Sequence, residues 1–80
     1  MIRWQFKELL GRYTAKTGGD LSYRTITEKT GVSKTTLSAI ARGTATRADL
    51  DTVEKILQLL SEEMGENLTT QDLIKFEVEP

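Results

Sequence analysis

Eighty residues without a single cysteine or histidine restrict the chemistry open to this chain. The lack of cysteine excludes disulfides and thiolate metal sites, and the lack of histidine removes the usual general base and the commonest metal ligand. The net charge is −1, and no apolar run approaches the ~20 residues that cross a bilayer. We therefore expect a soluble, cytoplasmic protein with one domain over residues 1–80 and with no cofactor, metal or membrane contact.

Charge is unevenly distributed along the chain. Residues 1–47 hold nine basic and three acidic side chains, whereas residues 48–80 hold two basic and nine acidic ones. The two parts thus carry +6 and −7. Such asymmetry indicates one surface that faces a polyanion and an acidic surface elsewhere. The alternative is that both parts are ordinary solvated surface, and charge alone does not separate the two readings.

Apolar residues spaced three and four apart predict a first helix, which starts at Arg3 or Trp4 and ends near Lys16. Paired glycines at Gly18 and Gly19 interrupt it, because glycine is costly inside a helix. Trp4 is interpreted as a core aromatic. The stripe expected to face the core is Phe6, Leu9, Leu10 and Tyr13.

A tight turn between two helices is predicted at Gly31-Val32-Ser33. The second helix begins at a cap provided by Asp20 or Ser22, carries Ile26 inward and ends at Thr30. Glycine holds the left-handed backbone that ends a helix. Serine then caps the next helix by accepting a hydrogen bond from a free backbone N–H.

The third helix, from Lys34 to Arg42, is predicted to be amphipathic. At about 100° per residue, Leu37, Ile40 and Ala41 fall in one apolar sector. The opposite face is small, neutral-polar and cationic, with no acid, and such a face can lie against a polyanion. It consists of Thr35, Ser38, Ala39 and Arg42, with Lys34 and Thr36 at its flanks.

A fourth helix is predicted from Leu50 to about Glu62, capped by Asp49. Acidic residues in its first turn suit the positive end of the helix dipole. A loop over residues 64–67 follows. The apolar positions of this helix are Leu50, Val53, Ile56, Leu57 and Leu60.

The C-terminal part predicts a short fifth helix that starts at Thr69, with Asp72 three residues later. This helix holds Leu73 and Ile74. Residues 75–79 then alternate apolar and charged, which is compatible with a brief strand whose only plausible partner in the chain is Met1-Ile2-Arg3.

Acidic residues supply no catalytic constellation in this sequence. Asp49 and Asp51 are interpreted as helix-start residues rather than paired catalytic acids. Glu62, Glu63 and Glu66 are interpreted as a solvated helix end rather than a cation site. We therefore expect no enzyme.

The turn and its flanking helices form the pattern Ile26-Thr27-x-x-x-Gly31-Val32-Ser33-x-x-x-Leu37-Ser38-x-Ile40-x-x-Gly43. This pattern resembles the lambda-repressor-like (Cro and Xre-type) helix-turn-helix family. Ile2-Arg3-Trp4 with Leu9-Leu10 is similar to the family's first helix, residues 44–52 to the start of its fourth, and Asp72-Leu73-Ile74 to its closing turn. The resemblance implies an all-α, compact five-helix domain with the helix-turn-helix at helices 2 and 3.

The resemblance also implies binding to double-stranded DNA, with the helix after the glycine turn in the major groove. By position, Lys34 would donate to guanine O6 or N7, and the methyl groups of Thr35 and Ala39 would touch a thymine methyl. Ser38 completes the base-contacting set. The phosphate contacts implied are Tyr23, Arg24, Ser33, Thr36, Arg42, Thr46 and Arg47. Arg24 and Arg47 are alternatively plain surface charges.

Two positions depart from the family pattern. Thr27 stands where the family usually has alanine, and its hydroxyl needs a local carbonyl partner at a close helix crossing. Tyr23 stands where a glutamine often binds phosphate.

The function implied is a sequence-specific transcriptional regulator, a repressor that occupies a two-fold operator as a homodimer. Helix five and the tail would supply the dimer surface through Leu68, Phe76 and Val78. The alternative is a helix-turn-helix protein-interaction module, of antitoxin or anti-regulator type, that binds a partner protein through the acidic C-terminal half.

Overall fold

Five helices and one small antiparallel sheet make up the computed structural model, which describes residues 1–78. The order is β1 (Ile2–Trp4), α1 (Phe6–Thr17), α2 (Tyr23–Thr30), α3 (Lys34–Arg42), α4 (Leu50–Met64), α5 (Thr70–Leu73) and β2 (Ile74–Phe76). The predicted five-helix architecture and the strand pair are confirmed. None of the helices within the described residues is long and apolar enough to cross a membrane.

A single cluster of buried side chains lies between the helices, and α4 contacts α1, α2 and α5 around it. Fully burying one large aliphatic or aromatic side chain stabilises the fold by about 1.5–3 kcal/mol. Trp4, Leu10 and Tyr13 are only partly buried and pack against this cluster. Its members are Phe6, Leu9, Ile26, Val32, Leu37, Ile40, Val53, Ile56, Leu59, Leu60, Met64 and Leu73.

The ends of α2 and α3 follow from local hydrogen bonds, as predicted. Ser22 Oγ accepts from the backbone N–H of Thr25 at 3.2 Å, so Ser22 rather than Asp20 caps α2. Gly31 ends α2 at φ +80°, in the left-handed region that favours glycine. Ser33 then caps α3.

The N-terminal segment differs from the prediction. The first helix begins at Phe6, because Ile2–Trp4 pairs as a strand with Ile74–Phe76. Ile2 lies opposite Phe76, and Trp4 lies opposite Ile74. The assignment of Ile2-Arg3-Trp4 to the first helix is therefore wrong. The pairing of Met1-Ile2-Arg3 with the C-terminal strand, which was also predicted, is confirmed with the N-terminal strand shifted by one residue.

The fourth helix is longer than predicted and buries other residues. It continues through Met64, which was predicted to lie in a loop but is buried, and it ends at the left-handed Gly65. Leu59 joins the core and was missed. Leu50 is instead 83% exposed and faces away from the core.

The C-terminal strand starts one residue earlier than predicted. Ile74 belongs to β2 rather than to the fifth helix. The strand ends at Phe76 rather than continuing through the tail, and residue 79 of the predicted strand lies outside the described residues.

Candidate nucleic-acid interface

The outward face of α3 is fixed by what the helix buries. Leu37 is fully buried and Ile40 is 2% exposed, so the opposite side of α3 faces solvent. Four of the predicted contacts are exposed and two are half-buried. The exposed residues are Lys34, Thr35, Thr36 and Arg42, and the half-buried ones are Ser38 and Ala39.

The charge around α3 is one-sided. No acidic residue occurs between positions 29 and 48. Within the described residues, four cationic side chains have no carboxylate within 4.0 Å: Lys7, Lys34, Arg42 and Arg47. Three of these four lie on α3 or in the loop after it. The positive charge of this face is therefore not offset by an ion pair within residues 1–78.

The first turn of α3 is ordered by its own hydroxyls. Ser33 Oγ accepts from the Thr36 backbone N–H at 3.1 Å and donates to Thr36 Oγ1 at 2.9 Å. Ser33 and Thr36, both predicted phosphate contacts, therefore also stabilise the N-terminus of α3. The Thr35 and Ser38 hydroxyls make no hydrogen bond with other described residues, so both are open to a ligand.

The start of α2 is less open than α3. The Tyr23 ring packs against Phe6, with ring centroids 5.9 Å apart, and is partly buried. Arg24 Nε lies 3.2 Å from Glu28 Oε1, although both side chains are largely exposed. An exposed ion pair is worth little, about 0–1 kcal/mol, so Arg24 can exchange Glu28 for another anion.

A cleft of about 450 Å³ joins α3 to the loop that follows it. Gly43 ends α3 in the left-handed conformation, and the Thr44 and Ala45 backbone N–H groups then donate to the Ala39 carbonyl. The structure thus brings five predicted contacts, from two separate segments, around one cleft. These five are Thr35, Thr36, Ala39, Thr46 and Arg47.

Trp4 is a residue whose placement beside this cleft the sequence did not reveal. Its indole N–H donates to the Ala45 carbonyl at 2.8 Å, across 41 positions of sequence. The prediction gave Trp4 a place in the core. Nothing in the local sequence signals a bond to a loop so far along the chain.

The helix crossing beneath α3 contains an unsatisfied hydroxyl. Thr27 Oγ1 is buried and has no hydrogen-bond partner among the described residues. The expectation that a local carbonyl would accept from it is therefore wrong. The free-energy cost of such a group is about 1–3 kcal/mol.

The three residues predicted for a dimer surface do not share one cleft. Phe76 and Val78 are 66% and 82% exposed. Phe76 lines a shallow cleft with Ile2, whereas Leu68 is half-buried in a groove along α4 beside Leu57.

The acids at the end of α4 are engaged with cations of other helices. Glu63 lies 2.8 Å from Lys29 Nζ, and Glu66 lies 3.1 Å from Lys16 Nζ. No group of three or more metal-ligating side chains occurs within residues 1–78.

A family model places these features in a known class. The Cro/C1-type helix-turn-helix DNA-binding domain matches residues 19–78, a stretch that runs from before α2 to beyond β2. Comparison with curated proteins and with solved structures gives no match. The matched stretch covers most of the chain and includes α3 with its outward face. The chain belongs to the family of Cro/C1-type helix-turn-helix DNA-binding domains.

Proposed function

We propose that residues 1–80 form one helix-turn-helix domain that acts as a sequence-specific transcriptional regulator. The observation that supports this most is the outward face of α3. It combines Lys34 and Arg42, which form no ion pair within residues 1–78, with hydroxyls and methyl groups, and none of its own residues is acidic. A helix with such a face fits the major groove of B-DNA, where base edges and phosphates are both within reach.

The base-reading group in this proposal is Lys34, Thr35, Ser38 and Ala39. Lys34 donates to guanine O6 or N7, and the methyl groups of Thr35 and Ala39 contact a thymine methyl. Ser38 offers a hydroxyl to either kind of base edge. Phosphate contacts orient the helix without reading sequence. They come from Tyr23, Arg24, Ser33, Thr36, Arg42, Thr46 and Arg47.

Two copies per operator follow from the size of the contact. A single module of this kind buries roughly 600–1,000 Å², which limits its affinity. A homodimer on half-sites about 34–36 Å apart doubles the contact. Phe76 and Val78, with Leu68, are the surface proposed for that dimer, and repression follows from occupancy of the operator.

One observation favours a second candidate, a protein-interaction module. Leu50 is 83% exposed at the start of the acidic α4, and a groove of about 380 Å³ runs from it past Leu57 to Leu68. A partner protein with an apolar, basic segment would fit this groove.

Salt dependence separates the two candidates. A domain that neutralises four to eight phosphates loses DNA affinity with a log–log slope of roughly −4 to −7. We expect this slope from fluorescence anisotropy of a labelled random-sequence duplex between low and physiological salt. Absence of any binding to that duplex at low salt would favour the interaction module instead.

A further inference from the structure

The loop between α3 and α4 has few attachments of its own. The backbone N–H groups of Thr44 and Ala45 both donate to the Ala39 carbonyl, at 3.0 and 3.3 Å, which ties only the start of the loop to α3. Residues 46–48 make no hydrogen bond with other described residues. The bond from the Trp4 indole to Ala45 is therefore the one hydrogen bond, within residues 1–78, that joins this loop to a distant element.

Trp4 itself is held from the other side. It is the last residue of β1, lies opposite Ile74 in the sheet and packs against the core. The next residue, Gln5, donates its backbone N–H to the Leu73 carbonyl at 2.6 Å. Arg3 pairs with Glu77 at 3.0 Å. The backbone that carries the indole is thus fixed by β2 and α5.

The Trp4 ring lies beside the loop on both of its flanks. It lines the cleft of about 450 Å³ next to α3 and a second cleft of about 470 Å³ on the side of the strands. Ala45, Thr46 and Arg47 line the same two clefts. A change in the position of the Trp4 ring would therefore alter the packing of these three loop residues.

We propose that Trp4 is a positioning residue for DNA binding, because its bond to the Ala45 carbonyl sets where Arg47 meets the phosphates. The inference rests on the proposed function and adds to it an element that lies before residue 19, where the family match begins. In this arrangement the strand pair carries the loop, and the loop extends the phosphate-binding surface of α3.

The test is a double-mutant cycle that pairs Trp4→Phe with Arg47→Ala. Phenylalanine keeps an aromatic ring but has no N–H donor. We expect Trp4→Phe to weaken binding to a labelled random-sequence duplex roughly three- to tenfold, the range of one lost hydrogen bond. Because the loss acts through Arg47, it should nearly vanish in the Arg47→Ala background and persist in the Arg42→Ala background.

Tyr13→Phe is the matched control. It removes a polar atom from another partly buried aromatic ring that lines neither cleft, so DNA affinity should not change. An equal effect of Trp4→Phe in the wild-type and Arg47→Ala backgrounds would overturn the positioning role, as would unchanged affinity. Should Trp4→Phe not fold, Trp4→benzothienylalanine keeps the ring shape and replaces the N–H by sulfur.

A readout without DNA keeps this inference distinct from the proposed function. Trp4 is the only tryptophan, so its indole N–H gives one resolved NMR signal. We expect that signal to exchange slowly with solvent. In Trp4→Phe we expect faster exchange of the Thr44 and Ala45 backbone amides, which donate to the Ala39 carbonyl. If Trp4→Phe shows faster loop exchange but full DNA affinity, only the positioning role is refuted. If the wild type does not bind DNA, both the positioning role and the proposed function are refuted.

Discussion

Lys34 and Arg42 lie at opposite ends of α3. We propose that Lys34 contacts a base and that Arg42 contacts a phosphate. Lys34, in the first turn, is within reach of base edges when the start of a recognition helix enters the groove. Arg42, in the last turn, suits the negative end of the helix dipole and a phosphate at the groove edge. A base contact carries sequence information and a phosphate contact does not.

Lys34→Ala should flatten preference at one base pair of the operator by about 1–3 kcal/mol, because a single donor to guanine is lost. Affinities for duplexes that each carry one base-pair change will measure this. Arg42→Ala is the matched control, for which we expect similar weakening on all sequences and a salt slope smaller by about 1. Equal loss on every sequence from Lys34→Ala would show that the two roles are misassigned.

Thr27 offers a prediction about stability rather than binding. Thr27→Val keeps the side-chain shape and removes the unsatisfied hydroxyl. We expect the free energy of unfolding to rise by up to about 1 kcal/mol, since the desolvation cost of that group disappears. Thr27→Ala also removes a methyl group, so its stability should change little or rise less. Urea denaturation measures both, and a clear loss in Thr27→Val would mean that the hydroxyl has a partner.

One carboxylate, that of Asp72, contacts both α5 and α1. Asp72 Oδ2 accepts from the Thr69 backbone N–H at 2.7 Å, which caps α5, and Asp72 Oδ1 lies 2.8 Å from Arg12 Nη1. The Thr69 N–H and then the Arg12 guanidinium lower the pKa of Asp72 below its usual value. Helix α5, which these contacts anchor, leads directly into β2, and β2 pairs with β1.

Acid should therefore weaken this end of the molecule. A carboxyl whose pKa is lower in the folded state contributes stability above its unfolded pKa, ~3.9 for aspartate, and loses it as pH falls through the folded value. We expect Asp72→Asn to lower the free energy of unfolding at pH 7 and to flatten its decline below about pH 4. Urea denaturation across this pH range measures both effects. If the free energy of unfolding declines below pH 4 to the same extent in Asp72→Asn and in the wild type, Asp72 does not stabilise this end of the molecule.

The elements that the sequence predicted well are those closed by local contacts. The bounds of α3 and the end of α2 were correct, because Gly31 and Ser33 mark them within a few residues. The strand pair was placed less well and the Trp4 bond was missed, because both join segments far apart in sequence. Met64 was missed because the helix was predicted to end at about Glu62, two residues before its observed end. In the candidate site, helical spacing was enough to predict which residues of α3 face outward. That these residues share a cleft with Thr46 and Arg47 could be seen only in the structure.

Charge pairing between the two parts of the chain reconciles a net charge of −1 with DNA binding. Several cations of the basic first part pair with acids of the second part. Lys34 and Arg42 on α3 form no ion pair within residues 1–78, so positive charge is concentrated there. The pairs are Arg3 with Glu77, Arg12 with Asp72, Lys16 with Glu66, and Lys29 with Glu63.

Substitution of Phe76 and Val78 tests the proposed dimer surface. Phe76→Ser combined with Val78→Ser should leave a folded monomer, since both side chains are exposed. We expect roughly hundredfold or greater loss on a two-fold operator and unchanged affinity for a single half-site, because only linked binding is lost. Sedimentation equilibrium and anisotropy measure the two effects. Leu50→Ser, an equally exposed residue on another surface, is the control, and a dimer that survives the double variant would place the interface elsewhere.

Selection of bound fragments from a random duplex pool tests most directly whether the outward face of α3 reads DNA. We expect the wild type to enrich one motif, repeated with two-fold symmetry about one helical turn apart. Lys34→Ala should enrich the same motif with one position relaxed. Recovery of the pool with unchanged composition, or the same motif undiminished from Lys34→Ala, would contradict the reading of this face as the one that meets DNA.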